Sequence, residues 1–159
     1  MSYQNYQNNY QNNKSGGGFS QNRPPQAPKK TFEQLGQDVK SQFFGQNYDE
    51  LLNMSKSSKL DNILKNIEEF VSEEGKNLST SQLRNIYDKA TKARSVNELK
   101  LIRPNLAYIA GRSSNDKEKT LLAFIDSLIK TVNSEEKVKE FKVFFEAVVA
   151  YHKFHGKNS

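Results

Sequence analysis

Apolar side chains in this chain recur every three or four residues, the spacing that lines one face of an α-helix. Leu60, Ile63, Leu64, Ile67, Phe70 and Val71 form such a stripe over residues 60–74. Leu83, Ile86, Tyr87 and Ala90 form a second, and Leu99, Ile102, Leu106 and Ile109 a third. Leu121, Leu122, Ile125, Leu128, Ile129 and Val132 make a fourth, then Val138, Phe141, Phe145 and Val148 a fifth. No segment has the strict alternation of a half-buried strand or an Asn-Gly hairpin turn. The expected fold is all-α, a compact bundle of about five helices with short connections. Residues 31–44 add a candidate sixth helix, weakened by Gly36, and a polar linker is expected from there to about Lys59.

Boundary residues support this division. Gly75 suits a helix stop. Ser79 and Gln82 have the spacing of a capping box, and Asn133 with Glu136 is a second candidate. Pro104 interrupts the stripe over residues 96–111, so a kink or a fresh helix start falls near Arg103. Gly111 is the expected stop of that segment.

Residues 1–30 are different in kind. They are rich in Gln, Asn, Gly and Pro, with Tyr almost the only large side chain. They bury too little apolar surface to offset the entropy of ordering. We read them as a disordered Gln/Asn/Tyr-rich tail, and residues 31–159 as one helical-bundle domain. The N-terminus has no apolar signal core, and no apolar run is long enough to span a membrane. The chain has no cysteine, which excludes disulfides, thiol catalysis and Cys-ligated zinc. A cytoplasmic protein with no membrane partner is expected.

Charge is unevenly distributed. Between Lys76 and Arg112 stand eight basic and two acidic residues, a surplus equal to the +6 of the whole chain. Such a concentration on a small helical domain is the footprint of a polyanion binder. Arg84, Arg103 and Arg112 are the leading candidates, because guanidinium presents planar paired donors that match a phosphate. Thr80 and Ser81 open the helix after Ser79, where unpaired N–H groups favour an anion. The competing reading pairs Arg84 with Asp88 one turn on, and Lys139 with Glu135 or Glu136. His152 and His155 are three apart and could meet one metal, but position 152 continues the last apolar stripe and no third ligand is at hand. There is no phosphate-binding Gly loop and no Ser/His/acid context. Neither catalytic residues nor a metal or cofactor is expected.

Three segments taken together add a family resemblance. STSQLRNIYDKA at 79–90, LIRPNLAYIAGR at 101–112 and FFEAVVAYHKF at 144–154, in this order and spacing, resemble the small subunit of the type III-A CRISPR effector, the Csm complex. The resemblance covers about residues 32–156. It implies a helical bundle that stacks in several copies beside a guide RNA and its target RNA, among the other subunits of the effector. Such subunits contact the nucleic-acid backbone through a basic surface while base pairing supplies specificity, in antiviral defence. It implies no enzymatic role, since target cleavage belongs to the backbone subunit, and DNA cleavage and cyclic oligoadenylate synthesis to the large subunit. Matched by position, it favours Arg84, Arg103 and Arg112 for phosphate, then Lys100 and Lys153, with Thr80 and Ser81 in the first motif. Tyr108 and Tyr151 adjoin apolar stripes and read as structural. The alternative is a stand-alone helical RNA- or DNA-binding protein. A ribonuclease using Tyr151 or His152, and an adaptor whose arginines meet acidic proteins, are the remaining readings.

Overall fold

Thr31 begins the ordered helices with a capping box, which the apolar periodicity does not reveal. Its Oγ accepts from the Gln34 N–H at 3.2 Å, and its own N–H donates to Gln34 Oε1 at 2.9 Å. The computed structural model describes residue 25 and residues 28–156. The tail expected over residues 1–30 lies, apart from residues 25 and 28–30, outside the described residues.

The helices are α1 (Phe32–Val39), α2 (Leu60–Glu74), α3 (Thr80–Lys92), α4 (Val96–Lys100), α5 (Arg103–Arg112), α6 (Asp116–Thr131) and α7 (Glu135–His155). Among the described residues there is no strand. Among the described residues, leaving aside the five-residue α4, six α-helices rather than about five build the bundle. Ser79 and Gln82 form the expected box at the start of α3. α7 is capped by Ser134, not Asn133: the Ser134 Oγ accepts from the Lys137 N–H at 3.3 Å. Pro104 lies in the first turn of α5, where a missing N–H costs nothing, so the fresh-start reading holds. Gly111 does not stop α5, which runs on to Arg112 and is capped by Ser113.

The expected linker is helical. After α1, Lys40–Phe44 forms a π-helical turn, and Gly45, at a φ of 51° open to glycine, leads into a 3₁₀ segment over Gly45–Lys56. The backbone leaves the helical region at Leu52 and Asn53, so the segment is two short turns joined by a kink. Leu51 and Met54 are buried. Glu140, buried on α7, accepts from the backbone N–H of Ser55 at 3.2 Å and from its hydroxyl. One turn away the exposed pair Lys56–Glu136 closes at 2.7 Å and holds the Glu136 carboxyl below its ordinary range. Lys56, not Lys139, is thus the partner of Glu136.

α6 sits at the centre. Every residue from Leu121 to Ile129 is buried, so this helix is surrounded rather than amphipathic. α1, α5, α2 and α4 pack against it, while α7 packs against α2, α3 and the 3₁₀ segment. The aromatic core gathers around Phe124, with Phe44 stacked on it at 4.8 Å between ring centroids.

Gly36 explains how α1 comes so close to α6. A Cβ built there would lie 2.9 Å from the Ala123 carbonyl oxygen and 3.1 Å from the Ser127 Cβ. Helix propensity therefore argues against Gly36 while packing requires it. Gly36→Val is expected to lower stability by about 1–3 kcal/mol, the usual cost of overpacking, in a urea melt. Unchanged stability would mean that α1 is not seated on α6.

Candidate nucleic-acid interface

The first half of α3 and the last turns of α7 border an open groove of about 490 Å³. Leu83, Ile86 and Ala90 face the core, which turns Arg84 outward. On α7, the buried positions Val148 and His152 turn Lys153 outward. Arg84 and Lys153 line the same groove, together with Tyr87, Glu146 and Phe154. Among the described residues neither cation makes a salt bridge. The Arg84–Asp88 pair that the sequence allows is not formed. Burial, then the carboxylates of Glu146 and Asp88, push the Tyr87 phenol above its ordinary pKa, so it stays protonated near neutral pH.

A second cleft, about 500 Å³, lies between the start of α3 and the end of α7. Thr80 lines it with Lys76, His152 and His155. Ser81 is exposed beside it on the first turn. Thr80 and Ser81 open the helix, so their N–H groups have no partner within it. His152 is only 4% exposed. Its Nε2 lies 3.0 Å from the Gly75 carbonyl oxygen and 2.8 Å from that of Leu78. Both neighbours are acceptors, so Nε2 carries the proton and donates to them. His155 Nε2 instead meets Glu68 at 2.9 Å. The two histidines thus serve separate partners. Among the described residues no cluster of three or more His, Asp or Glu is placed to hold a metal.

Lys100 and Arg103 come together elsewhere, on the side where α4 and α5 meet α6. Both are engaged. Arg103 Nε donates to Asp126 Oδ1 at 2.9 Å, the two side chains being 35% and 10% exposed. Asp126 is a carboxylate on the buried helix, and Arg103 compensates it. Lys100 Nζ donates to the Lys130 carbonyl oxygen at 3.4 Å, near the end of α6, where a cation offsets the helix dipole.

Arg112 ends α5, exposed, with its guanidinium carbon 5.6 Å from the centre of the Tyr108 ring. Its Nη1 donates to the Tyr108 hydroxyl at 3.4 Å. Tyr108 corrects the structural reading of its position: it is 62% exposed and carries Arg112 rather than the core. Tyr151 is half-buried against the core, as expected.

Phe154 is a residue that sequence reasoning misses. The buried stripe of α7 runs through positions 141, 145, 148 and 152, and 154 is off it. That offset is the available signal for an exposed aromatic.

Residues 54–158, about two thirds of the chain, match the protein family described as Csm2 Type III-A. The chain belongs to that family. It is therefore a small subunit of the type III-A Csm complex, assembling with the other subunits of that effector. No curated protein and no solved structure matches the chain. The matched region of this Csm2-family chain holds α2 to α7 and all of the candidate residues. α1 precedes it, yet α1 packs on α6 as part of the same core. Among the described residues no helix is long and apolar enough to cross a membrane.

Proposed function

We propose that this subunit is a non-catalytic, cytoplasmic RNA-binding component of the effector. It stacks in several copies and holds the backbone of guide and target RNA in antiviral defence. The observation that carries this reading is the α3–α7 groove, where Arg84 and Lys153 converge from two helices without a carboxylate partner among the described residues. Salt-bridged cations have little left for phosphate, whereas among the described residues no salt bridge occupies the donors of these two. Thr80 and Ser81 add N–H donors at the start of the same helix. Arg112 extends the contact from the end of α5. Arg103 and Lys100 contribute less per residue, because Asp126 and the Lys130 carbonyl already engage them.

The non-catalytic part of the proposal is supported by His152: its Nε2–H is held by two backbone carbonyls, and its Nδ1, which carries the lone pair, is buried away from any substrate. A general base needs a lone pair directed at its substrate. RNA cleavage that survives repurification and disappears in His152→Ala would sink this part.

Two experiments test the rest. Co-expression with the neighbouring genes is expected to yield a stoichiometric ribonucleoprotein containing a guide RNA. Recovery of the chain alone would favour the stand-alone binder. In the isolated subunit, Arg84→Ala is expected to weaken RNA binding. The salt slope of log K should become shallower by about 0.7–0.9, the share of a single neutralised phosphate. Its Tm should stay unchanged, since Arg84 is exposed and holds no partner. A fall in Tm with unchanged RNA affinity would overturn the assignment.

A further inference from the structure

Phe154 is 77% exposed at the end of α7. It lies on the border of the groove that holds Arg84 and Lys153. The groove is chemically divided. One part offers the two cations. The other offers Val149, Ala150 and the Phe154 ring, which give a phosphate nothing. Glu146 lies on the same wall and repels phosphate, so a strand has to run along Arg84 and Lys153. A volume of about 490 Å³ falls within the range of small-ligand clefts, roughly 300–1,000 Å³.

A base has a π-face whatever its identity, and aromatic side chains beside a basic track are how proteins hold unpaired nucleotides. We propose that this groove takes one unpaired nucleotide of the RNA, with its base stacked on Phe154 and its phosphate between Arg84 and Lys153. Stacking on a ring is blind to sequence, so it adds affinity without competing with guide–target pairing for specificity. A continuous duplex keeps its bases stacked on one another and has no face to offer the ring. The site therefore favours single-stranded RNA, or a nucleotide displaced from a duplex. This inference rests on the RNA-binding role of Arg84 proposed above.

The test uses the purified full chain and two single-stranded RNAs of equal length and charge, one with bases and one with abasic positions. Phe154→Ala is expected to weaken binding of the base-containing strand at least about five-fold and to leave the abasic strand unchanged. Phe154→Trp should keep the affinity. The chain has no tryptophan, so that ring is the sole indole reporter, and its fluorescence should be quenched by the base-containing strand alone.

If Phe154→Ala changes neither affinity while Arg84→Ala still weakens both, stacking is wrong and the phosphate role stands. If Arg84→Ala also changes nothing, both readings fail. An equal loss on both strands would make Phe154 a contact for backbone rather than base, and would overturn the proposal. So would a Phe154→Ala subunit that binds RNA normally but no longer copurifies with the other subunits, since Phe154 would then meet protein.

Discussion

Phe124→Ala is expected to lower the Tm of this protein by roughly 10–20 °C. Phe124 is fully buried on α6 and meets rings from three directions along the chain. Phe44 stacks on it at 4.8 Å with planes 2° apart. Phe70 of α2 and Phe144 of α7 approach edge-on at 5.1 Å and 6.0 Å. Tyr48 of the 3₁₀ segment is the fourth ring, edge-on at 6.1 Å. Truncating a buried phenylalanine costs about 3–5 kcal/mol, from the transfer free energy of the ring and the cavity it leaves behind. This one sits where α2, α6, α7 and the 40–56 segment meet, so no single helix can shift to refill the space. Aromatic pairs add about 0.5–1.5 kcal/mol beyond area burial, which places the cost toward the upper end. Native domains hold only about 5–15 kcal/mol in reserve. A urea melt read by circular dichroism checks it. Val143→Ala, on the outer side of α7, is the control and should move stability by less than about 0.5 kcal/mol. A Phe124→Ala loss no larger than that control would mean that the aromatic cluster is not the centre of the core.

Much of this architecture is legible in the sequence because one template suffices for it. Helices α2, α3 and α7 follow a 3.6-residue period and bury their stripes, while α6 has the same period but is buried all round from Leu121 to Ile129. The misses share a physical cause, a period or packing requirement outside that template. Gly45–Lys56 is two short turns joined by a kink at Leu52 and Asn53, so no single period runs through it. Gly36 lowers helix propensity by about 1 kcal/mol, and only the partner helix shows that the missing Cβ is what lets α1 dock. The candidate site is legible as charge but not as arrangement. Arg84, Arg103 and Arg112 look alike in sequence. Their difference is tertiary: Asp126, 23 positions from Arg103, is buried and needs a counter-charge, while no such neighbour reaches Arg84. Composition can locate a basic surface, but which cations remain unpaired depends on helices that meet only in the fold.

His152→Ala is expected to cost about 2–4 kcal/mol, although the residue lies at the edge of the candidate interface. The imidazole is buried, and its Nε2–H bridges the carbonyls of Gly75 and Leu78 in the loop between α2 and α3. Alanine removes the ring and leaves the Leu78 carbonyl without that donor beneath the start of α3. The Gly75 carbonyl keeps a second partner, the Leu78 N–H at 3.2 Å, so the loss there is smaller. The fit is tight: a Cβ on Gly75 would lie 3.1 Å from the His152 ring. His152→Gln separates the hydrogen bond from the cavity, because its amide nitrogen reaches about as far as Nε2 and can donate to the same carbonyls. It should recover part of the loss, whereas His152→Leu, apolar and of similar bulk, should not. Equal stability of the Gln and Leu variants would show that His152 acts by volume alone. The strut also bears on function, since the loop it fastens leads directly into Ser79 and α3. Holding that loop to the end of α7 fixes Arg84 relative to Lys153. Well below its Tm, the Ala variant should bind RNA with both charges present but their spacing loosened, and so more weakly than the parent chain and no more weakly than Arg84→Ala.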